Sequence, residues 1–252
     1  MSAELGVALI SAAVALLSIL LSLYAAQSNL EFRARLKGEA SNKSRLEQMV
    51  SRYQNPLIYA AYDLQSRIYN FVERDLTGVL RTGDEETKSY VVNSTLFLIA
   101  QYLAWAEAIR RGVQYLDLGD DERTRKLVDL LEEIRHSFST THNITGSPFR
   151  IARAEQRAIG ELMLQGHMDE HSGSMLWRCR GYAYFCATLK RDQSFASWFD
   201  RLGGDVRKLT DDQKKARERL AALQNALIDL INLLDIKQVC IPQSPLLRIA
   251  RG

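Results

Sequence analysis

The chain has 252 residues, 46% of them hydrophobic and 25% charged, with a formal net charge of +3. That balance excludes a disordered, collagen-like or disulfide-stapled protein, and the charge is too mild to name nucleic acid as a partner. No Walker loop, G-x-G-x-x-G turn, G-x-S-x-G elbow or paired-cysteine motif is present, so nucleotide-driven chemistry is not expected and no cofactor is implied.

Leu5 to Ala26 carries no charged side chain. As a helix rising about 1.5 Å per residue it would reach roughly 33 Å, enough to cross a bilayer core of about 30 Å. Glu4 is the only side-chain charge before it, whereas Arg33, Arg35, Lys37, Lys43 and Arg45 follow, opposed by Glu31 and Glu39. Basic flanks stay on the cytoplasmic side. The expected address is therefore the cell (inner) membrane, with the N-terminus outside and the bulk of the chain cytoplasmic. A signal peptide would want a positive leading region and a shorter apolar core, so residues 1–28 read as a retained single-pass anchor. Leu96 to Ile109 contains Glu107, and Ala226 to Ile236 carries Asp229 and Asp235, so neither reads as a second span.

Within the span, alternating steps of three and four select Ala8, Ser11, Ala15, Ser18, Ser22 and Ala25. Small residues permit close helix approach in lipid, so this face is the expected surface of a homo-oligomer. The frame continues through Asn29, Phe32, Leu36, Glu39, Lys43, Leu46, Val50 and Tyr53, with a polar interruption at Glu39 and Lys43, which predicts a basic stalk helix over 29–55. A wider ring would instead place the serines along a narrow pore.

Residues 56–240 show helical periodicity nearly throughout, predicting an all-α bundle of about six helices. Pro56 suits the first turn of a helix to about Leu80, with Leu57, Ala61, Leu64, Ile68 and Val72 on one stripe. A long apolar helix is expected from Glu86 to Leu116, and another from Asp121 to Phe138 with Leu127, Leu130, Leu131 and Ile134 inward. Ser147-Pro148 reads as an N-cap and first turn, carrying Ile151, Ala154, Ala158, Leu162 and Met163 inward. An aromatic-rich helix should run from Met175 to Leu202 and stop at Gly203-Gly204. Thr210 and Gln213 resemble a capping box opening a last helix to Asp235. Its Leu220, Leu223, Leu227, Leu230 and Leu234 form a short coiled-coil seam, better used inside the bundle. Residues 241–252 read as an irregular basic tail, and no strand is expected.

Cys179, Cys186 and Cys240 lack metal-type spacing and are expected as thiols, the first two on one helix face as small buried hydrophobes. The Asn93 and Asn143 sequons are chance matches on a cytoplasmic domain.

Three constellations invite chemistry. His167-Met168-Asp169-Glu170-His171 spells H-x-x-E-H and resembles the inverzincin metallopeptidases. The resemblance implies zinc on His167 and His171 with Glu170 as base, whereas the bracketing Gly166 and Gly173 favour a polar connection. Arg135 followed six residues after His136 by His142 resembles the Arg-to-His motif of the HEPN ribonucleases. That resemblance implies an all-α, metal-independent nuclease with Arg135 on phosphate charge and His142 in general acid–base catalysis. Read from the residues alone, the same segment is a dipole-stabilised helix end. Arg150, Arg153 and Arg157, at helical spacing, form an anion-binding candidate or a solvated face. The combined expectation is a membrane-anchored helical interaction, sensor or effector module with a protein or small-ligand partner, and a HEPN-like nuclease or an oligomeric pore as alternatives.

Overall fold

A computed structural model describes residues 52–113, 122–140, 148–168, 175–242 and 245–250, with the side chains of 112–113 and 210–215 left aside. The span at Leu5 to Ala26, its small-residue face and the stalk up to residue 51 lie outside the described residues. No described helix is long and apolar enough to cross a membrane.

The elements are α1 (52–73), α2 (Leu76–Thr82), α3 (Glu85–Val113), α4 (Glu122–Ser139), α5 (Arg153–Met163), β1 (Leu164–Met168), β2 (Met175–Cys179), α6 (Tyr182–Arg191), α7 (Gln193–Ala196), α8 (Asp200–Arg207) and α9 (Leu209–Leu234). The fold is mostly helical, in agreement with the periodicity, and among the described residues one small hairpin interrupts it.

Helix α1 buries its expected stripe of Leu57, Ala61, Leu64, Ile68 and Val72. It ends at residue 73 rather than near Leu80, because Asp75 turns left-handed at φ 50° and caps a new helix. The Asp75 carboxylate accepts from the Gly78 N–H and the Thr77 hydroxyl, which satisfies donors at the start of α2. Helices α1 and α9 run antiparallel. The Gln54 amide donates to the Leu234 carbonyl, Gln224 to Gln65, and Arg217 to Glu73, so the α9 partner falls in number as the α1 partner rises.

Helix α9 is the central rod. Leu220, Leu223, Leu227, Leu230 and Leu234 are buried as their seam predicts, but so are Ala216, Ala221, Ala226, Ile228 and Ile231. A helix apolar on nearly all sides belongs inside a bundle, so the heptad pattern serves this chain's own core.

Three sequence expectations are corrected here. The helix expected from Pro148 begins at Arg153. Pro148-Phe149 forms a turn with Phe149 at φ 60°, and Glu155 reaches back to the Ala152 N–H at 2.7 Å as the first-turn cap. Ile151 and Met163 are buried as expected and are joined by Gln156, Ile159 and Gly160, whereas Ala154 is exposed. The helix expected over 175–202 is instead β2, α6, α7 and the start of α8. Asp192 breaks it by accepting from the Ser194 and Phe195 N–H groups. Gly203 and Gly204 lie inside α8 and stop nothing. Finally, the unexpected hairpin pairs Leu164 with Cys179 through Met168 with Met175, antiparallel. Gly166 faces Trp177 across it, and a Cβ at Gly166 would meet the indole at 2.9 Å, so the ring covers the glycine. The Trp177 main-chain N–H donates to the Tyr53 hydroxyl at 3.0 Å and Arg111 stacks over the indole, fastening the hairpin to α1 and α3.

Residues 245–250 carry no helix or strand and dock on α9. Ile249 is buried, its N–H donates to Gln224 Oε1, and Asn225 donates to its carbonyl. Arg248 grips Asp229 with both terminal nitrogens.

Candidate functional site

Helices α3, α4 and α5 line a half-open pocket of about 260 Å³. Helix α3 supplies Leu103, Ala106, Glu107, Ile109 and Arg110; α4 supplies Val128, Asp129, Leu131, Glu132 and Arg135; α5 supplies Gln156 and Arg157. Within the first two sets, Leu103, Ala106, Glu107 and Arg110 share one spacing with Val128, Leu131, Glu132 and Arg135: an apolar residue, another three on, then Glu, then Arg three further. Steps of three and four hold such residues on one helix face. Each helix thus presents an apolar half-face ending in a Glu–Arg pair.

Both pairs are formed. Arg110 holds Glu107 with two hydrogen bonds of 2.6 Å, and Arg135 lies 3.1 Å from Glu132. A second guanidinium joins each carboxylate: Arg111 at 2.9 Å on Glu107, and Arg153 from α5 on Glu132. Arg111 also reaches Glu161 of α5 at 3.3 Å. Helix α5 is therefore clamped to α3 and to α4 by ion pairs that frame the pocket.

Glu107 has a side chain only 3% exposed. Burial alone would raise its carboxyl pKa, but the hydrogen bonds and charges of Arg110 and Arg111 outweigh burial and hold it below its ordinary value. Gln156 is also buried, at 3%. Its Nε2 donates to the Arg135 and Ile151 carbonyls, which fixes the amide orientation and leaves Oε1 without a partner among the described residues.

Close approach of α5 to α3 depends on Gly160. A Cβ there would lie 2.7 Å from the Leu103 carbonyl oxygen and 3.0 Å from Glu107 Cβ. Only a residue without a Cβ fits at that crossing.

The chain matches no family model, no curated protein and no solved structure. The geometry of the pocket therefore carries the functional reading.

The structure distributes the sequence candidates unevenly. Arg135 lines the pocket, bonded to Glu132, whereas His142 lies outside the described residues. Arg150, Arg153 and Arg157 do not share one helix face, because Arg150 precedes α5. Arg153 turns to Glu132, and Arg157 faces Glu161 at 4.0 Å and lines the pocket. His167 sits on β1, so the helical i, i+4 geometry required of a shared zinc does not form there, and His171 lies outside the described residues. No cluster of three potential metal ligands occurs among the described residues. Cys179 and Cys186 fall on β2 and α6 rather than on one helix, and all three thiols are free. Burial pushes the Cys179 thiol up to about 12, which makes it an inert space-filler.

Residues 103–110 and 128–135 are the signal that sequence reading passed over. The repeated Glu-x-Ile-Arg, preceded by an apolar residue and followed in space by its mate, reads locally as two ordinary amphipathic helices.

Proposed function

We propose that this protein is a single-pass, membrane-anchored helical sensor whose cytoplasmic domain binds a small ligand between α3, α4 and α5, with self-association through the span. The observation that carries the ligand site is the apolar-walled pocket of about 260 Å³ between two matching Glu–Arg helix faces. Ligand sites in helical proteins sit between helices, with apolar walls and a few fixed polar groups. Here Leu103, Ala106, Val128 and Leu131 supply the walls, and the guanidinium–carboxylate pairs supply the polar groups. Ligand entering this space touches three helices at once, so binding would be felt as a change in how α5 sits on α3 and α4.

The anchor and its topology rest on the uncharged stretch from Leu5 to Ala26 and the basic residues that follow it. Self-association rests on the small-residue face from Ala8 to Ala25.

Native mass spectrometry of the full chain, released from membranes into lipid nanodiscs, tests the reading. The expected result is an oligomer carrying a small bound species. Ala15→Leu with Ser18→Leu should yield monomer, and Ala106→Trp should lose the bound species. An unchanged mass after the span substitutions would contradict self-association, and the same bound species in Ala106→Trp would contradict the pocket.

A further inference from the structure

We propose that the turn after α9, residues 235–241, is a lipid-contacting surface. It seats this end of the domain on the cytoplasmic leaflet through Ile236 and Val239, with Lys237 and Arg52 among the headgroups. The inference rests on the anchor and topology proposed above.

Exposure singles out the turn. Ile236 is 67% and Val239 77% exposed, the two highest values among the large apolar side chains described. Neither is loosely held. The buried Asp235 accepts from the main-chain N–H groups of Val239 at 3.0 Å, Cys240 at 3.1 Å and Ile241 at 3.3 Å. One carboxylate on three successive N–H groups fixes the shape of the turn. That shape leaves both side chains in water, from which their removal is favourable.

Position supplies the occupant. The Gln54 amide donates to the Leu234 carbonyl at 2.8 Å, and the Cys240 thiol lies 3.4 Å from Asn55 Oδ1. The turn therefore adjoins the start of α1, where the chain arrives from the apolar segment Leu5 to Ala26. Residues 27–51 join the two and, even fully extended, reach at most roughly 85 Å. A tether of that length keeps the turn at high effective concentration beside the bilayer, so a weak contact through two side chains suffices.

Charge and area agree. Lys237 within the turn and Arg52 at the start of α1 are both exposed, and cations beside apolar side chains suit anionic headgroups. The turn's own carboxylate, Asp235, is buried on the N–H groups it holds. A specific protein interface buries about 800 Å² per partner, far more than these side chains present, whereas lipid requires no matching shape.

Emission from Val239→Trp in the full chain, placed in nanodiscs of mixed zwitterionic and anionic lipid, tests the contact. The native chain gives the baseline from Trp105, Trp177 and Trp198. Tyr90→Trp is the control, because Tyr90 is also exposed and the neighbouring Val91 carbonyl meets Arg67, about 20 Å along α1 from Tyr53. Lipid brominated near the top of its acyl chains should quench the added emission of Val239→Trp and spare that of Tyr90→Trp. Lys237→Glu, combined with Val239→Trp, should weaken the quenching. Quenching of Val239→Trp by aqueous acrylamide and not by bromine would overturn the docking and leave the anchor standing. Quenching by neither would also overturn it, because protein, such as a second copy, would then cover the turn. Equal bromine quenching at both positions would overturn it too. A full chain recovered away from the membrane fraction would overturn the anchor and the docking together.

Discussion

Gly160 of α5 rests on the backbone of Leu103, so closely that a Cβ would come within 2.7 Å of the Leu103 carbonyl oxygen. This contact sets the depth to which α5 seats on α3, and with it the shape of the pocket that both line. Gly160→Ala should push the helices apart. Overpacking of this kind costs about 1–3 kcal/mol, more than the helix propensity that alanine gains, about 1 kcal/mol. Urea denaturation should register a net loss of stability. A gain would mean that α5 is not held against α3 in this way.

Glu107 makes acid stability depend on pH. Burial raises its pKa, the hydrogen bonds from Arg110 and Arg111 lower it further than burial raises it, and the net position is below the ordinary value of 4.5. A group depressed on folding stabilises the fold above its unfolded pKa and loses that contribution as pH falls through its folded value. Melting temperature should therefore decline as pH drops below about 4.5. Glu107→Gln should be less stable at neutral pH, because it removes the buried carboxylate that Arg110 and Arg111 both hold, and should show a shallower acid decline. Parallel acid profiles for the two proteins would remove Glu107 from this role.

Arg219 of α9 closes the end of α4. Its guanidinium donates to the carbonyls of Ser137 at 2.7 Å, Phe138 at 3.1 Å and Thr140 at 2.8 Å, the groups a helix C-terminus leaves without intrahelical donors. Arg219→Met keeps the apolar stem and removes the donors, at an expected cost of about 1–3 kcal/mol. Amide exchange should rise in the last turn of α4 more than in α1. Uniform exchange changes would argue for a general packing defect instead.

Asn225 and Gln224 bind the tail to the central rod. Asn225 Nδ2 donates to the Ile249 carbonyl at 3.0 Å, and Gln224 serves both the Leu247 carbonyl and the Ile249 N–H. Asn225→Ala should destabilise by about 1–2 kcal/mol and make residues 245–250 sensitive to limited proteolysis. A tail cut equally fast in both proteins would show that this bond does not secure it.

The bundle was legible because its signals are local. The α1 stripe and the α9 leucines repeat at helical spacing over long runs, and both are buried as that spacing requires. The segment from Gln165 to Gly204 was not legible, because its determinants are tertiary. Trp177 packs its ring over Gly166 in the strand, and Tyr53, more than a hundred residues earlier, accepts the hydrogen bond from the Trp177 main-chain N–H that ties the strand to α1. Asp192 adds a cap in the middle of an apparently continuous aromatic helix. The pocket was hidden for a related reason. Glu107–Arg110 and Glu132–Arg135 each look like a solvated i, i+3 pair, and only the approach of α5 at Gly160 turns them toward a shared space.

Saturable binding of small neutral apolar fragments to the full chain, compared with Ala106→Trp and Val128→Trp, tests the pocket most directly. These substitutions fill the site from opposite walls, and helix content by circular dichroism verifies that each variant is folded. The account predicts fragment binding by the native protein and its loss in both folded variants. Equal binding in all three proteins would contradict it.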